Sequence, residues 1–152
     1  MVPDLIDGVL PEGVHDATME EVEARFGAFR RTDRRVRLTE RLRAFLAEAK
    51  AAGIAEAVIL DGSYVSGRDE PDDIDLILVL RPGIDPASEF RPSQYNVLSR
   101  RVVKNLYKFD LITASEEEPL YAKYVDFFSN VRRGIPDPYT SRDRKGLLRI
   151  LL

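Results

Sequence analysis

The apolar positions of this chain change period several times, and each change marks a new element. Met19, Val22, Phe26 and Phe29 recur at helical spacing behind Thr18 and Glu21, which are placed as a capping box, so a short first helix is expected. Leu38, Leu42, Phe45, Leu46 and Ala49 form one apolar stripe, predicting a longer second helix capped by Thr32 and closed by Gly53. In "EAVILDGS" the helical period is lost, and residues 57–60 read as a buried strand running into a glycine turn. "DIDLILVL" reads as a second strand, stopped by Pro82.

Beyond it, "RPGIDPASEFRPS" has the composition of a loop, and "SQYNVLSRRVVKNL" has the apolar spacing of a third helix with Ser93 as its cap. "YKFDLITA" predicts a third strand. "EEEPLYAKYVDFFSNVRRG" predicts a fourth helix, acidic at its start and basic at its end as the helix dipole favours. A polar loop over residues 135–144 leads to "GLLRILL", a terminal strand. The order helix, helix, strand, strand, helix, strand, helix, strand mixes the two types throughout. That argues for an α/β (α+β) fold, a mixed sheet flanked by helices, in a single domain. Within it, residues 1–53 supply an irregular start and two helices, residues 54–115 the strands that carry the chemistry, and residues 116–152 a last helix and strand.

Composition narrows the chemistry. With 152 residues, 44% of them apolar and 32% charged, the chain has enough core for one soluble domain and too little for two. It contains no cysteine, which removes disulfides, thiol nucleophiles and cysteine zinc sites, and one histidine. A Ser-His-Asp triad would have to use His15, which stands next to an expected helix start and reads as a packing or capping residue. The net charge of −3 does not describe a strongly basic nucleic-acid binder, although a local basic patch is compatible with it. The longest apolar run, residues 74–80, is interrupted by Asp75 and is far shorter than the ~20 residues a spanning helix needs. Residues 1–10 lack the basic start of a signal peptide, so no membrane association and a cytoplasmic location are expected.

Two aspartates at the entrance of the second strand are the most informative residues. Positions two apart on a strand face the same way, so Asp73 and Asp75 are expected to project together while Ile74 and Leu76 face the opposite layer. Burying two like charges unpaired costs several kcal/mol. A divalent cation removes that cost, and hard carboxylate oxygens suit Mg²⁺ or Mn²⁺. Upstream, Gly62 permits close backbone approach, Ser63 offers a hydroxyl and an amide, and "SYVS" can begin a helical turn whose free N–H groups face an anion. If the two strands pair, this phosphate cradle and the metal-binding strand are neighbours.

"GSYVSGRDEPDDIDLIL" resembles the signature of the DNA polymerase beta-like nucleotidyltransferase superfamily: Gly-Ser, a spacer, then Asp-hydrophobic-Asp among aliphatics. Its short spacer and the small chain are similar to the minimal single-domain members, and the start "LPEGVHDATMEEVEARFG" is similar to that of a bacterial group of nucleotidyltransferase-like proteins. The resemblance covers residues 57–80. It implies a nucleotidyltransferase-like mixed sheet, two divalent ions (Mg²⁺ or Mn²⁺) and transfer of a nucleoside monophosphate from an NTP to a hydroxyl, releasing pyrophosphate. Gly62 and Ser63 match the phosphate-binding turn, and Asp73 and Asp75 match two metal ligands. The superfamily's third carboxylate lies on a later strand, where Asp110 in "YKFDLITA" is the candidate.

The acceptor implied is a protein, an RNA or a small molecule. Kinship with small proteins of toxin-antitoxin or phage-defence pairs, and the brevity of the chain after Asp110, imply a site shared with a second copy, as in a homodimer, or with a partner protein. The alternative is a catalytically silent binding or regulatory protein on the same fold, which a damaged motif would favour; the motif is intact. Among the remaining charges, Arg68 reads as a solvated loop residue more readily than as a triphosphate contact. Lys108 is expected to share a face with Asp110 by alternation, near Arg100, Arg101 and Lys104. Arg30, Arg31, Arg34, Arg35 and Arg37 read as a solvated helix face sooner than as an RNA-binding surface.

Overall fold

Strand pairing decides the architecture. A computed structural model describes residues 1–131 and 140–152. In chain order the elements are β1 (Val14–Asp16), α1 (Met19–Phe26), α2 (Arg34–Ala52), β2 (Ala55–Asp61), a 3₁₀ turn (Ser63–Val65), β3 (Asp75–Leu80), α3 (Pro92–Leu98), α4 (Arg100–Tyr107), β4 (Asp110–Ser115), α5 (Pro119–Phe128) and β5 (Leu147–Leu151). The strands form one five-stranded sheet in the order β1-β5-β2-β3-β4. β2 runs antiparallel to both β5 and β3, whereas β1 pairs parallel with β5 and β4 parallel with β3. The mixed α+β sheet of the sequence reading is therefore the fold.

Alternation along the central strands divides the interior in two. Val58, Leu60, Leu76, Leu78 and Leu80 face the larger core, which they share with Val22 and Phe26 of α1, Leu42 and Phe45 of α2, Val97 of α3, and Val103 and Tyr107 of α4. Ala57, Ile59, Ile77 and Val79 face the opposite way, into a smaller cluster with Leu147 and Phe128 at the end of α5. Four helices thus cover one face. The other face carries α5 and is the one that matters for the site.

Several expectations hold at the level of single bonds. Thr18 Oγ1 accepts from the Glu21 N–H at 3.1 Å and Glu21 Oε2 accepts from the Thr18 N–H at 2.9 Å, a complete capping box. Gly53 closes α2 with φ of 70°, the left-handed conformation glycine adopts without strain.

Others need correction. The irregular start contains β1, too short to carry a period of its own. The expected third helix is two, because Ser99 adopts an extended conformation and its side chain accepts from Val102 N–H at 3.4 Å, starting α4 afresh. Ser93 is not a cap: α3 begins with Pro92 after Arg91, whose N–H donates to Gln94 Oε1 at 2.8 Å. Thr32 stands one residue before the α2 cap position, Asp33, and accepts from Arg34 N–H at 3.3 Å. The expected terminal strand does form, as β5, and the sheet takes it in between β1 and β2. The tail of the expected fourth helix, residues 132–134, and the first half of the expected loop, residues 135–139, lie outside the described residues.

Candidate functional site

One end of the sheet gathers its acids in a line. The register pairs Asp61 with Asp75 across β2 and β3, and Asp75 with Asp110 across β3 and β4. Directly paired residues point to the same face, with Cβ atoms about 5 Å apart, so three carboxylates stand side by side at the edge of the α5 face. Behind them the same face continues with Ile59, Ile77 and Ile112, which are also in register. Asp73 lies beyond the paired part of β3, yet is close enough to Asp61 to oppose its ionisation. At an effective dielectric constant of about 20, ionised Asp61 and Asp75 about 5 Å apart repel by on the order of 3 kcal/mol.

The Gly-Ser bend is built around Asp73. Gly62 has φ of 95°, and a Cβ there would come within 2.9 Å of the Asp73 carbonyl oxygen and 3.0 Å of its Oδ1. That approach brings the bend onto the entrance of β3. Asp73 Oδ1 accepts from both the N–H (3.2 Å) and the hydroxyl (3.1 Å) of Ser63. The Ser63 Oγ in turn accepts from the Asp72 N–H at 2.8 Å, and the Tyr64 N–H donates to the Asp73 carbonyl at 3.2 Å. The helical turn expected after Gly62 forms, but its first N–H groups are not free as the sequence suggested: Asp73 occupies them.

Each end of the acid row has its own cation. Lys145, just ahead of β5, places Nζ 2.7 Å from Asp61 Oδ1 with both side chains largely buried. At that distance the ammonium and the carboxylate are held by charge in a site that water hardly reaches. Burial pushes the Asp61 carboxyl above the usual carboxylate range, with the Lys145 ammonium pulling the other way. At the far end Lys104 of α4 donates to Asp110 Oδ1 at 3.1 Å, with both side chains exposed. Lys108, expected on the Asp110 face, instead caps α4 in a left-handed conformation and donates to the Asn105 carbonyl at 3.0 Å, because strand alternation does not extend back to it.

The donor set is of hard oxygens alone, the type Mg²⁺ or Mn²⁺ takes. As the side chains stand, no group of three carboxylates or imidazoles among the described residues is drawn together closely enough to hold a metal ion. The reason is local: Asp61 is committed to Lys145, Asp73 to Ser63 and Asp110 to Lys104.

The profile of a family of unknown function, DUF6932, matches residues 3–151. The chain belongs to the DUF6932 family. No curated protein and no solved structure matches it. Membership in DUF6932 assigns no activity, so the chemistry rests on the residues.

Three residues that organise this DUF6932 site escaped the sequence reading. Asp61 directly precedes Gly62, and aligning the two apolar runs as an antiparallel pair would have placed it opposite Asp75. Lys145 has no local signal, since only the fold brings it to Asp61. Arg35 was grouped with a solvated arginine face and is wholly buried. Its guanidinium donates to the carbonyls of Phe26 (3.1 Å), Tyr64 (2.7 Å), Ser66 (2.8 Å) and Arg68 (3.0 Å), and lies over the Phe26 and Tyr64 rings. Burial pulls its pKa down to about 10, which leaves it charged at neutral pH. It fastens the spacer between the bend and β3 to α1 and α2.

His15, in β1, meets the Pro11 carbonyl at 2.7 Å through Nε2, a packing role. A groove of about 660 Å³ lined by Met1, Met19, Leu46, Ile150 and Leu152 lies at the opposite end of the sheet, where Ile150 pairs with Val58. No helix among the described residues is long and apolar enough to cross a membrane.

Proposed function

We propose that the chain is a metal-dependent nucleotidyltransferase that moves a nucleoside monophosphate from an NTP to a hydroxyl of a protein, RNA or small-molecule acceptor. The observation that carries this reading is the register Asp61, Asp75, Asp110, which sets a line of carboxylates on one face beside the Gly62-Ser63 bend. Asp61, buried beside a second acid, has no packing role that an apolar residue would not fill at lower cost. In this reading Asp73, Asp75 and Asp110 hold Mg²⁺ or Mn²⁺. The Ser63 amide and hydroxyl, which hold Asp73, would be the phosphate donors once Asp73 held the ion. Asp110 at the exposed end faces the acceptor hydroxyl and draws its proton. The ions, when bound, supply charge neutralisation for the entering and leaving oxygens. The site places no demand on cysteine or histidine.

A second reading, a catalytically silent nucleotidyltransferase-like binding or regulatory protein, is favoured by one specific feature: the bend amides and both outer acids are already satisfied within the chain. Thermal unfolding separates the two. For the enzyme, Mg²⁺ or Mn²⁺ with an NTP raises the melting temperature by ligand linkage, and Asp73→Asn with Asp75→Asn removes the rise. No metal-dependent rise with any of the four NTPs decides for the silent protein. Labelled NTP in a cell lysate then identifies the acceptor by the band that takes the label, and shows whether a partner of the toxin-antitoxin or phage-defence kind is involved.

A further inference from the structure

We propose that Lys145 is the resident counter-ion of the carboxylate row and a positioning residue that sets its affinity for a divalent cation. The inference rests on the reading of the row as a cation site and adds a determinant that the motif does not contain.

Lys145 is held in place by its backbone. Its N–H donates to the Ser129 carbonyl at the end of α5 (2.9 Å), and the next N–H, of Gly146, donates to the Leu10 carbonyl (2.9 Å). Gly146 is packed so closely that a Cβ would lie 1.9 Å from the Pro11 carbonyl oxygen, so no other residue fits without moving that segment. The backbone of Lys145 is thus clamped from both sides, and its side chain reaches Asp61. Asp61 is 5% exposed, and its Oδ1 faces the Lys145 ammonium at 2.7 Å. A buried carboxylate oxygen beside Asp75 and opposite an ammonium is a place where one positive charge already resides.

Charge counting then gives consequences that a purely structural ion pair would not have. With Lys145 present, Asp61 adds little net negative charge to the row, and a cation at Asp75 competes with the ammonium. Without Lys145, at a pH high enough to keep Asp61 ionised, the row gains one uncompensated carboxylate. Without Asp61 the ammonium stands unpaired beside Asp75 and repels a cation. Without both, the net charge returns to that of the native chain.

The experiment is Mn²⁺ binding, without nucleotide, to the full chain and to Lys145→Met, Asp61→Asn and the double variant, read by electron paramagnetic resonance of free Mn²⁺. Lys145→Met is expected to bind about fivefold to tenfold more tightly, Asp61→Asn more weakly by a similar factor, and the double variant close to the native chain. Equal affinity in all four overturns the proposal while leaving the cation site standing. If all four bind no better than Asp75→Asn with Asp110→Asn, the cation reading itself fails and takes the proposal with it. Should Lys145→Met not fold, the comparison between Asp61→Asn and the double variant decides, because neither contains a buried unpaired carboxylate. Tighter binding in the double variant supports the counter-ion role, and no difference overturns it.

Discussion

The two ends of the acid row carry the same chemistry in opposite surroundings. Lys145 and Asp61 meet at 2.7 Å with side-chain exposures of 22% and 6%, whereas Lys104 and Asp110 meet at 3.1 Å with exposures of 56% and 62%. Water competes for the second pair and is nearly excluded from the first. The attraction inside is larger, but so is the desolvation already spent to bring the charges there. The consequence is asymmetric. Losing one member of the buried pair leaves a charge with no solvent to receive it, while losing one member of the exposed pair leaves a charge in water. The row therefore has a fixed end, set by the fold, and an adjustable end open to whatever binds.

The sharpest way to break this comparison is Lys145→Met. It strands the Asp61 carboxylate and is expected to cost about 3–5 kcal/mol, read as a lower midpoint in urea at unchanged slope. Adding Asp61→Asn should recover most of that loss, because the stranded charge disappears with it. A loss under about 1 kcal/mol would place the two pairs in the same class and remove the distinction between fixed and adjustable ends. Gly62→Ala comes next. It puts a Cβ at φ of 95° and 2.9 Å from the Asp73 carbonyl oxygen, so the bend must move off the entrance of β3. A cost of about 1–3 kcal/mol is expected, with the larger share in strain at the bend.

How far these features were legible in the sequence depends on the range of the forces that set them. The α2 stripe and the Thr18–Glu21 box are local, and both stand as read. Asp110 was reached through the resemblance, and its place opposite Asp75 needed the parallel pairing of β3 with β4, which no local pattern fixes. Asp61 was visible only through the antiparallel register of β2 with β3. Lys145 and Arg35 were not legible, since an exposed and a buried arginine or lysine have the same local pattern. Arg35 satisfies its guanidinium with backbone carbonyls from two segments, the end of α1 and residues 64–68, a set of acceptors that exists only after the chain has closed around it. The split at Ser99 was hidden for the opposite reason: the apolar spacing of α3 and α4 stays nearly continuous across the break, and only the extended backbone of Ser99 reveals it.

The buried end also has a pH signature. The Asp61 carboxyl is raised above its unfolded value by burial, so the native chain takes up a proton at a higher pH than the unfolded chain does. Ionisation of Asp61 therefore weakens folding above its native pKa, and the penalty is relieved as pH falls through that value toward about 4, where the unfolded chain also protonates. Asp7, Asp16 and Glu21 run the other way, held below the usual range chiefly by hydrogen bonds from Ser141, Arg149 and Thr18. Their contribution is lost on acidification and masks Asp61 in the native chain alone. The measurement is thus a difference: the stability of the native chain minus that of Asp61→Asn should rise from pH 7 toward pH 4 and level off below. A flat difference would mean that Lys145 compensates Asp61 fully and that burial leaves no residual cost.

The smallest effect is expected at the open end, and it is the most informative about function. Lys104→Met removes a cation from an exposed pair, so stability should change by less than about 1 kcal/mol and by still less at high salt. In the same protein the Asp110 carboxylate is released from its partner without disturbing β4, whose register with β3 is set by backbone bonds from Asp75 to Leu80. If Asp110 contributes to a cation site with Asp75, the freed carboxylate should bind Mn²⁺ more tightly than in the native chain, although the fold is no more stable. Binding that changes as little as stability does would mean that Asp110 ends the row only as a surface charge. The shared site would then contract to the acids on β2, β3 and the bend.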